Sequence, residues 1–224
     1  MRVAALYDVH GNVHALEAVL DEVEDERVDA IVFGGDVLHG PFPRETLELA
    51  RSVDATWIRG NAERVPDDPS PPIGTWVYDQ LPREEWERLA VLPTAVELDG
   101  VCYCHATPTD DMPIITDTTP DDELERLLAG TDARLVVGGH THMQQRRGRY
   151  ANAGSVGMPY EAAPGAYWAI VSDDIELRRT EYDLGRAAAA IRASGYPIAE
   201  EFAAENVLVV PSRAEATAAF ERRG

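Results

Sequence analysis

Five short polar strings punctuate the chain: Asp8-Val9-His10, Gly34-Gly35-Asp36, Gly60-Asn61, Cys104-His105 and Gly139-His140-Thr141-His142. Together they offer two carboxylates, one amide and four imidazoles. Such a nitrogen and oxygen set, with no thiolate, suits Mn²⁺, Fe, Zn²⁺ or Ni²⁺ better than Ca²⁺ or Mg²⁺. Asp36 carries two oxygens and is the natural bridge between two cations, while the neutral Asn61 oxygen keeps the ligand charge low. Two divalent ions around a shared carboxylate make water reactive near neutral pH, so the chemistry on offer is hydrolysis.

Each string follows an apolar, β-branched run: RVAALY, AIVF, ATWI, VCY and RLVV. Strand ends in an open α/β sheet gather at one edge, where ligands bind. Asp8 with His10, and His140 with His142, are spaced by two, which places each pair on one side of an extended strand. Strands over 2–7, 29–33 and 54–58 alternate with helices over 12–24 and 44–52, the first helix carrying Leu16, Val19, Leu20 and Val23 at helical spacing. That alternation predicts parallel strands with right-handed crossovers.

The proline-rich residues 65–74 read as an irregular loop, followed by helices over 75–80 and 83–91. Asp99-Gly100 predicts a hairpin between strands at 94–98 and 101–105. A helix over 120–130 and a strand over 134–139 come next. Strands near 144–153, 166–172 and 174–181 are antiparallel in style, and helices follow over 183–194, 198–205 and 212–222. The expectation is one α/β domain over 1–224, with 183–224 a helical C-terminal extension packed on it.

Composition narrows the function. Net charge is −20, from 40 acids against 20 bases, and every base is arginine. Such a field repels polyanions, which argues against non-specific nucleic-acid binding. An anionic substrate would be captured by concentrated local charge, which two divalent cations provide. The longest apolar stretches reach about half a membrane span, and no leader precedes the first strand, so no membrane association and a cytoplasmic location are expected. Cys102 and Cys104 are too close on one strand to close an unstrained disulfide and read as buried, reduced thiols. Homo-oligomerisation is left open.

The strings, in this order, resemble the calcineurin-like metallophosphoesterases, and among them the small bacterial and archaeal phosphodiesterases. The family blocks Asp-x-His, Gly-Asp, Gly-Asn, His and Gly-His-x-His all occur, in the phrases DVHGNVHALEAVL, GGD, IRGN, CHATP and VGGHTHM, with NAGSVGMP beyond them. The resemblance spans residues 1–182. It implies a four-layer sandwich of two mixed β-sheets flanked by helices. It assigns Asp8, His10, Asp36 and His142 to one metal, and Asp36, Asn61, His105 and His140 to the other, Mn²⁺ being favoured. The ions would sit about 3.5–4 Å apart and share a hydroxide that attacks phosphorus.

The same resemblance favours phosphodiesters over phosphomonoesters. A phosphomonoesterase of the protein serine/threonine phosphatase kind, and a scaffold like the retromer subunit that shares this fold, are its alternatives. One position departs from the family pattern. Many members have a histidine after the block-three asparagine, as proton donor to the leaving oxygen, followed by an orienting acid. Here Ala62 stands in its place and Glu63 remains. His39, three residues past Asp36, is the candidate replacement, making Asp36, Asn61 and His39 the catalytic candidates. Of the remaining residues, Asn12 shapes the turn after His10 or caps the first helix, Asn152 and Ser155 buttress the sheet end beside His142, and His14 faces solvent. Arg59 and Arg64 pair on the surface or touch phosphate. Arg146, Arg147 and Arg149 form a solvated basic face.

Overall fold

The computed structural model describes residues 1–65 and 69–222. Its strands are β1 (Val3–Leu6), β2 (Ala30–Phe33), β3 (Thr56–Trp57), β4 (Ala95–Leu98), β5 (Val101–Cys104), β6 (Leu135–Gly138), β7 (Gln145–Arg147), β8 (Tyr150–Asn152), β9 (Ala166–Val171) and β10 (Ile175–Thr180). Its helices are α1 (Val13–Asp25), α2 (Pro43–Arg51), α3 (Ile73–Tyr78), α4 (Arg83–Ala90), α5 (Asp121–Leu127), α6 (Leu184–Ala193), α7 (Ala199–Ala203) and α8 (Arg213–Glu221).

Side-chain alternation in β1 decides where the cores lie. Val3 and Ala5, with Tyr7 just beyond, enter an apolar layer shared with Val101, Tyr103, Leu135 and Val137 of the second sheet. Ala4 and Leu6 point the other way, into a layer with Leu16 and Val19 of α1, Leu47 of α2, Trp86 of α4 and Ile191 of α6. On the far side of the second sheet, Cys102, Cys104 and Val136 pack on Leu124 of α5. The result is helices, sheet, sheet, helix, which is the expected four-layer sandwich.

The two five-stranded sheets run β10-β9-β1-β2-β3 and β4-β5-β6-β8-β7. Both are mixed. β1, β2 and β3 are parallel, as the βαβ alternation predicts, whereas β9 and β10 are antiparallel additions. The strands near 166–181 therefore leave the second half of the chain and return to the first sheet, pairing Val3, Ala4 and Ala5 with Val171, Ile170 and Ala169. β9 is buried along its whole length, which explains its continuous apolar run AYWAIV. In the second sheet β8 lies parallel to β6, where an antiparallel arrangement was expected.

Of the irregular loop expected over 65–74, residues 66–68 lie outside the described residues, as do residues 223 and 224 of the C-terminal extension. α3 begins two residues before its expected start. The helix expected over 198–205 widens into a π turn over Ala204–Leu208, whose five-residue step turns both Phe202 and Val207 into the helix-covered core. Among the described residues no helix is long and apolar enough to cross a membrane. Cys102 and Cys104 are buried, free thiols.

Candidate metal centre

β1 ends at Leu6, so Asp8 and His10 do not project from an extended strand. Both lie in the turn beyond it with positive φ, 52° and 47°. Asp36, His140 and His142 share this left-handed conformation, at 52°, 67° and 59°. For non-glycine residues it costs roughly 1–2 kcal/mol each, and strain of this kind collects at functional sites. Backbone hydrogen bonds hold the turns there: the Asp8 and His10 amides donate to the carbonyls of Gly35 (3.1 Å) and Asp36 (2.9 Å). Close approach also requires Gly60, where a Cβ would sit 2.2 Å from Asp36 Oδ1.

The seven donors converge in two groups. Asp8, His10 and His142 place ligand atoms within 4.8 Å of one another, and so do Asp36, His105 and His140. Asn61 joins the second group, its Oδ1 3.1 Å from His105 Nε2. Asp36 faces both: its Oδ2 lies 3.9 Å from His10 Nε2 and its Oδ1 3.6 Å from His105 Nε2.

The orientation of the imidazoles tests whether a cation fits. Nδ1 of His10, His105 and His142 lies 3.2, 2.9 and 2.6 Å from the carbonyls of His39, Gly34 and Met158, and His140 Nε2 lies 3.1 Å from the Met112 carbonyl. A carbonyl only accepts, so these nitrogens carry the protons, and the opposite nitrogens of His10, His140 and His142 turn a lone pair inward. His105 Nε2 faces the Asn61 oxygen instead, and although burial opposes it, Asp36 and Asp8 raise the pKa of this ring. His10 Nε2 and His142 Nε2 consequently face each other at 3.1 Å. Asp8 Oδ2 accepts the His140 amide (2.8 Å), while its fully buried Oδ1 has no hydrogen-bond partner among the described residues and lies 3.4 Å from His142 Nε2. Converging lone pairs without a proton between them fit divalent cations.

Titration follows the same geometry. Burial, reinforced by His142, lowers His10 to about 3, and burial with His105 lowers His140 to about 4, so both rings stand neutral. Burial opposes ionisation of Asp8, but His142, His105 and His10 outweigh it and hold that carboxyl below its usual range. Burial pushes Asp36 up to about 7; His105 pulls against this while Glu63 and Asp8 add to it.

Some of the supports behind the cradle carried no signal in the sequence, while Asn12, Asn152 and Ser155 were expected from it. Glu63, read as the partner of an absent histidine, is buried and accepts three backbone amides, from Asp36, Gly60 and Val37, each at 2.8 Å. Arg59 and Arg64 both pair with buried Asp111, Arg59 at 3.2 Å, which anchors the loop whose Met112 carbonyl orients His140, and Arg64 also lines the cleft beside Asp36 and Asn61. Tyr160 stacks on His142 with ring centroids 4.7 Å apart. The Asn152 amide donates to the Gly139 carbonyl (2.5 Å), and the Ser155 hydroxyl to the Asp8 carbonyl (2.7 Å). Asn12 caps α1 through the Ala15 amide and also reaches the Gly157 carbonyl. Arg146, Arg147 and Arg149 are drawn into pairs with Asp174, Asp121 and Glu125, so no free basic face forms there.

His39 lines the site without joining either group. A cleft of 710 Å³, bounded by Asp36, Asn61, Ala62, Arg64 and Tyr78, meets a second cleft of 480 Å³ at His10, His39 and Ile73.

A family model described as calcineurin-like phosphoesterase matches residues 1–144. The uncharacterized protein MJ0912 of Methanocaldococcus jannaschii is 25% identical over 221 residues, covering 83% of this chain and 89% of that protein. A metallophosphoesterase from Sphaerobacter thermophilus superposes with a TM-score of 0.76 at 27% identity, covering 94% of this chain and 99% of its own. The hypothetical protein PH1004 from Pyrococcus horikoshii OT3 shares the fold, with a TM-score of 0.78 at 20% identity and the same coverage.

Proposed function

Because the chain belongs to the calcineurin-like phosphoesterase family, we propose that it is a dinuclear metal-dependent hydrolase of small phosphate esters, with phosphodiesters favoured and Mn²⁺ the working metal. The observation that carries this reading is the convergence of the ligand atoms into two groups that share Asp36. Asp8, His10, Asp36 and His142 would hold one ion, and Asp36, Asn61, His105 and His140 the other. Bound there, the ions supply positive charge for the ester oxygens and an activated water for attack on phosphorus.

The protein's own part is positioning. Carbonyl partners lock the ligand rings before metal arrives, so little ordering is left to do on binding. The Ala62 amide donates to Asp36 Oδ1 (2.7 Å), fixing the bridging carboxylate. Ala62 itself has no proton to give a leaving group. His39 is the imidazole on the cleft wall outside both ligand groups and would hydrogen-bond the departing oxygen; burial lowers its pKa, which works against full proton transfer from it.

Diester preference rests on charge. Among the described residues lining the two clefts, Arg64 is the one arginine, and Asp111 already matches it. A singly charged diester needs less positive charge than a doubly charged monoester. Free, buried Cys102 and Cys104 support a cytoplasmic location.

The test compares a bis-aryl phosphodiester with an aryl phosphomonoester under Mn²⁺, in wild type and His142→Ala. Metal-dependent turnover of the diester that His142→Ala abolishes is expected. Faster monoester turnover would move the assignment to a phosphatase. Metal binding without turnover of either ester would move it to a scaffold.

A further inference from the structure

The smaller cleft is built differently from the metal cradle it adjoins. Its inner end is His10 and His39; its walls are Met158, Tyr160, Phe202 and Phe220, and its rim carries Glu201, Glu205 and Glu215. The aromatic wall continues directly from the metal ligands, because Tyr160 stacks on His142 and faces Phe220 at 6.3 Å. Tyr196, packed at 5.9 Å on Phe202, also lines the cleft from the buried side. No arginine lines this cleft among the described residues, and Glu201 and Glu205 are exposed.

We propose that this cleft receives an organic group of the ester, and that it selects a bulky apolar or aromatic group that is uncharged or cationic. The inference deepens the phosphoesterase reading, on which it relies for the place of the phosphoryl group. The volume of 480 Å³ accommodates a substituted aromatic ring. Aromatic walls stabilise such a ring and any cationic substituent on it. The carboxylate rim repels a second anionic group, so sugar phosphates with further phosphates and polyphosphorylated nucleotides are disfavoured. The walls come mostly from residues 158–220, which places selectivity for the ester's organic part in the C-terminal helices.

Binding of non-hydrolysable phosphonates to the Mn²⁺-loaded protein, measured by calorimetry, tests this without requiring turnover. Benzylphosphonate is expected to bind at least ~10-fold tighter than methylphosphonate, the scale on which apolar pockets discriminate. 4-Carboxybenzylphosphonate is expected to fall back by a similar factor. Ala219→Trp, which fills the cleft, should erase the benzyl advantage, and Ile198→Trp is a second obstruction should the first fold poorly. Glu201→Gln combined with Glu205→Gln should narrow the carboxylate penalty. Equal affinities for the three phosphonates, or a benzyl advantage untouched by either obstruction, would overturn the inference. A wild-type dimer that Ala219→Trp dissociates would also overturn it, by assigning the cleft to a second copy. Loss of the selectivity with diester turnover intact removes only this subsite; intact selectivity without turnover of any ester removes only the hydrolase reading.

Discussion

The first sheet brings all the charge to the cradle, as Asp8 and Asp36, together with His10 and Asn61; the second brings only imidazoles, His105, His140 and His142. The two contributions are also held differently. The carboxylate side is fixed close to home: Glu63 clamps the amides of Asp36, Val37 and Gly60, and the turns after β1 and β2 bond to each other. The imidazole side depends on distant loops, through the carbonyls of Met112 and Met158 and the anchoring carboxylate of Asp111. The carboxylate ligands are therefore held mostly by contacts within residues 8–63, the Asp8 bonds to His140 and Ser155 apart, whereas His140 and His142 are aimed by loops outside that span.

Four measurements break or sharpen this contrast. Asp36→Ala removes the group both sides share, so diester turnover with Mn²⁺ should fall by ~10³-fold or more; a loss of under tenfold would mean the two groups work independently.

Asp36→Asn isolates the cost of the carboxylate's burial in metal-free protein. The folded value of about 7 lies above that of an unfolded aspartate, so the cost is full above pH 7 and disappears as pH falls toward 4. Metal-free Asp36→Asn should be more stable than wild type at pH 8, by on the order of 3 kcal/mol. The difference should shrink markedly by pH 5 in denaturant melts, and a gap independent of pH would contradict it.

Glu63→Gln leaves the three amides with a weaker, half-donor partner. The expected loss is roughly 2–3 kcal/mol in chemical denaturation, accompanied by reduced turnover. An unchanged midpoint would show that the carboxylate side does not need its clamp.

Asp111→Asn loosens the loop that aims His140 and also frees Arg59 and Arg64, which flank Asn61. It should weaken Mn²⁺ affinity by ~10–100-fold through His140, as loss of an outer partner does, while the fold stays cooperative. If affinity holds, the 106–112 loop is not what aims that ring.

Much of this molecule was legible before its coordinates. The order of elements and the five strand-end strings follow from apolar periodicity and from residues with donor atoms, and the four-layer fold from the family resemblance those strings carry. The mechanism of convergence was not legible. Spacing by two suggested strand alternation for Asp8 and His10, whereas both turn inward through left-handed backbone. Nothing near Glu63 in the sequence marks it as a clamp on Asp36 and Val37, whose amides meet it only across β2 and β3; the Gly60 amide, three residues back, is the local part of the clamp. β9 and β10 likewise read as a continuation of the second half, but the open edge of β1 drew them to the first sheet.

The sequence alone determined which groups could bind metal and that each lies at the end of an apolar run, because donor chemistry and hydrophobic period are properties of residues and their neighbours. Tertiary structure decided which carbonyl aims each imidazole, which arginines are already paired and where an aromatic cleft opens beside the cradle. Those outcomes depend on contacts between segments separated by tens of residues, as between Met112 and His140, and no local pattern encodes where such segments meet.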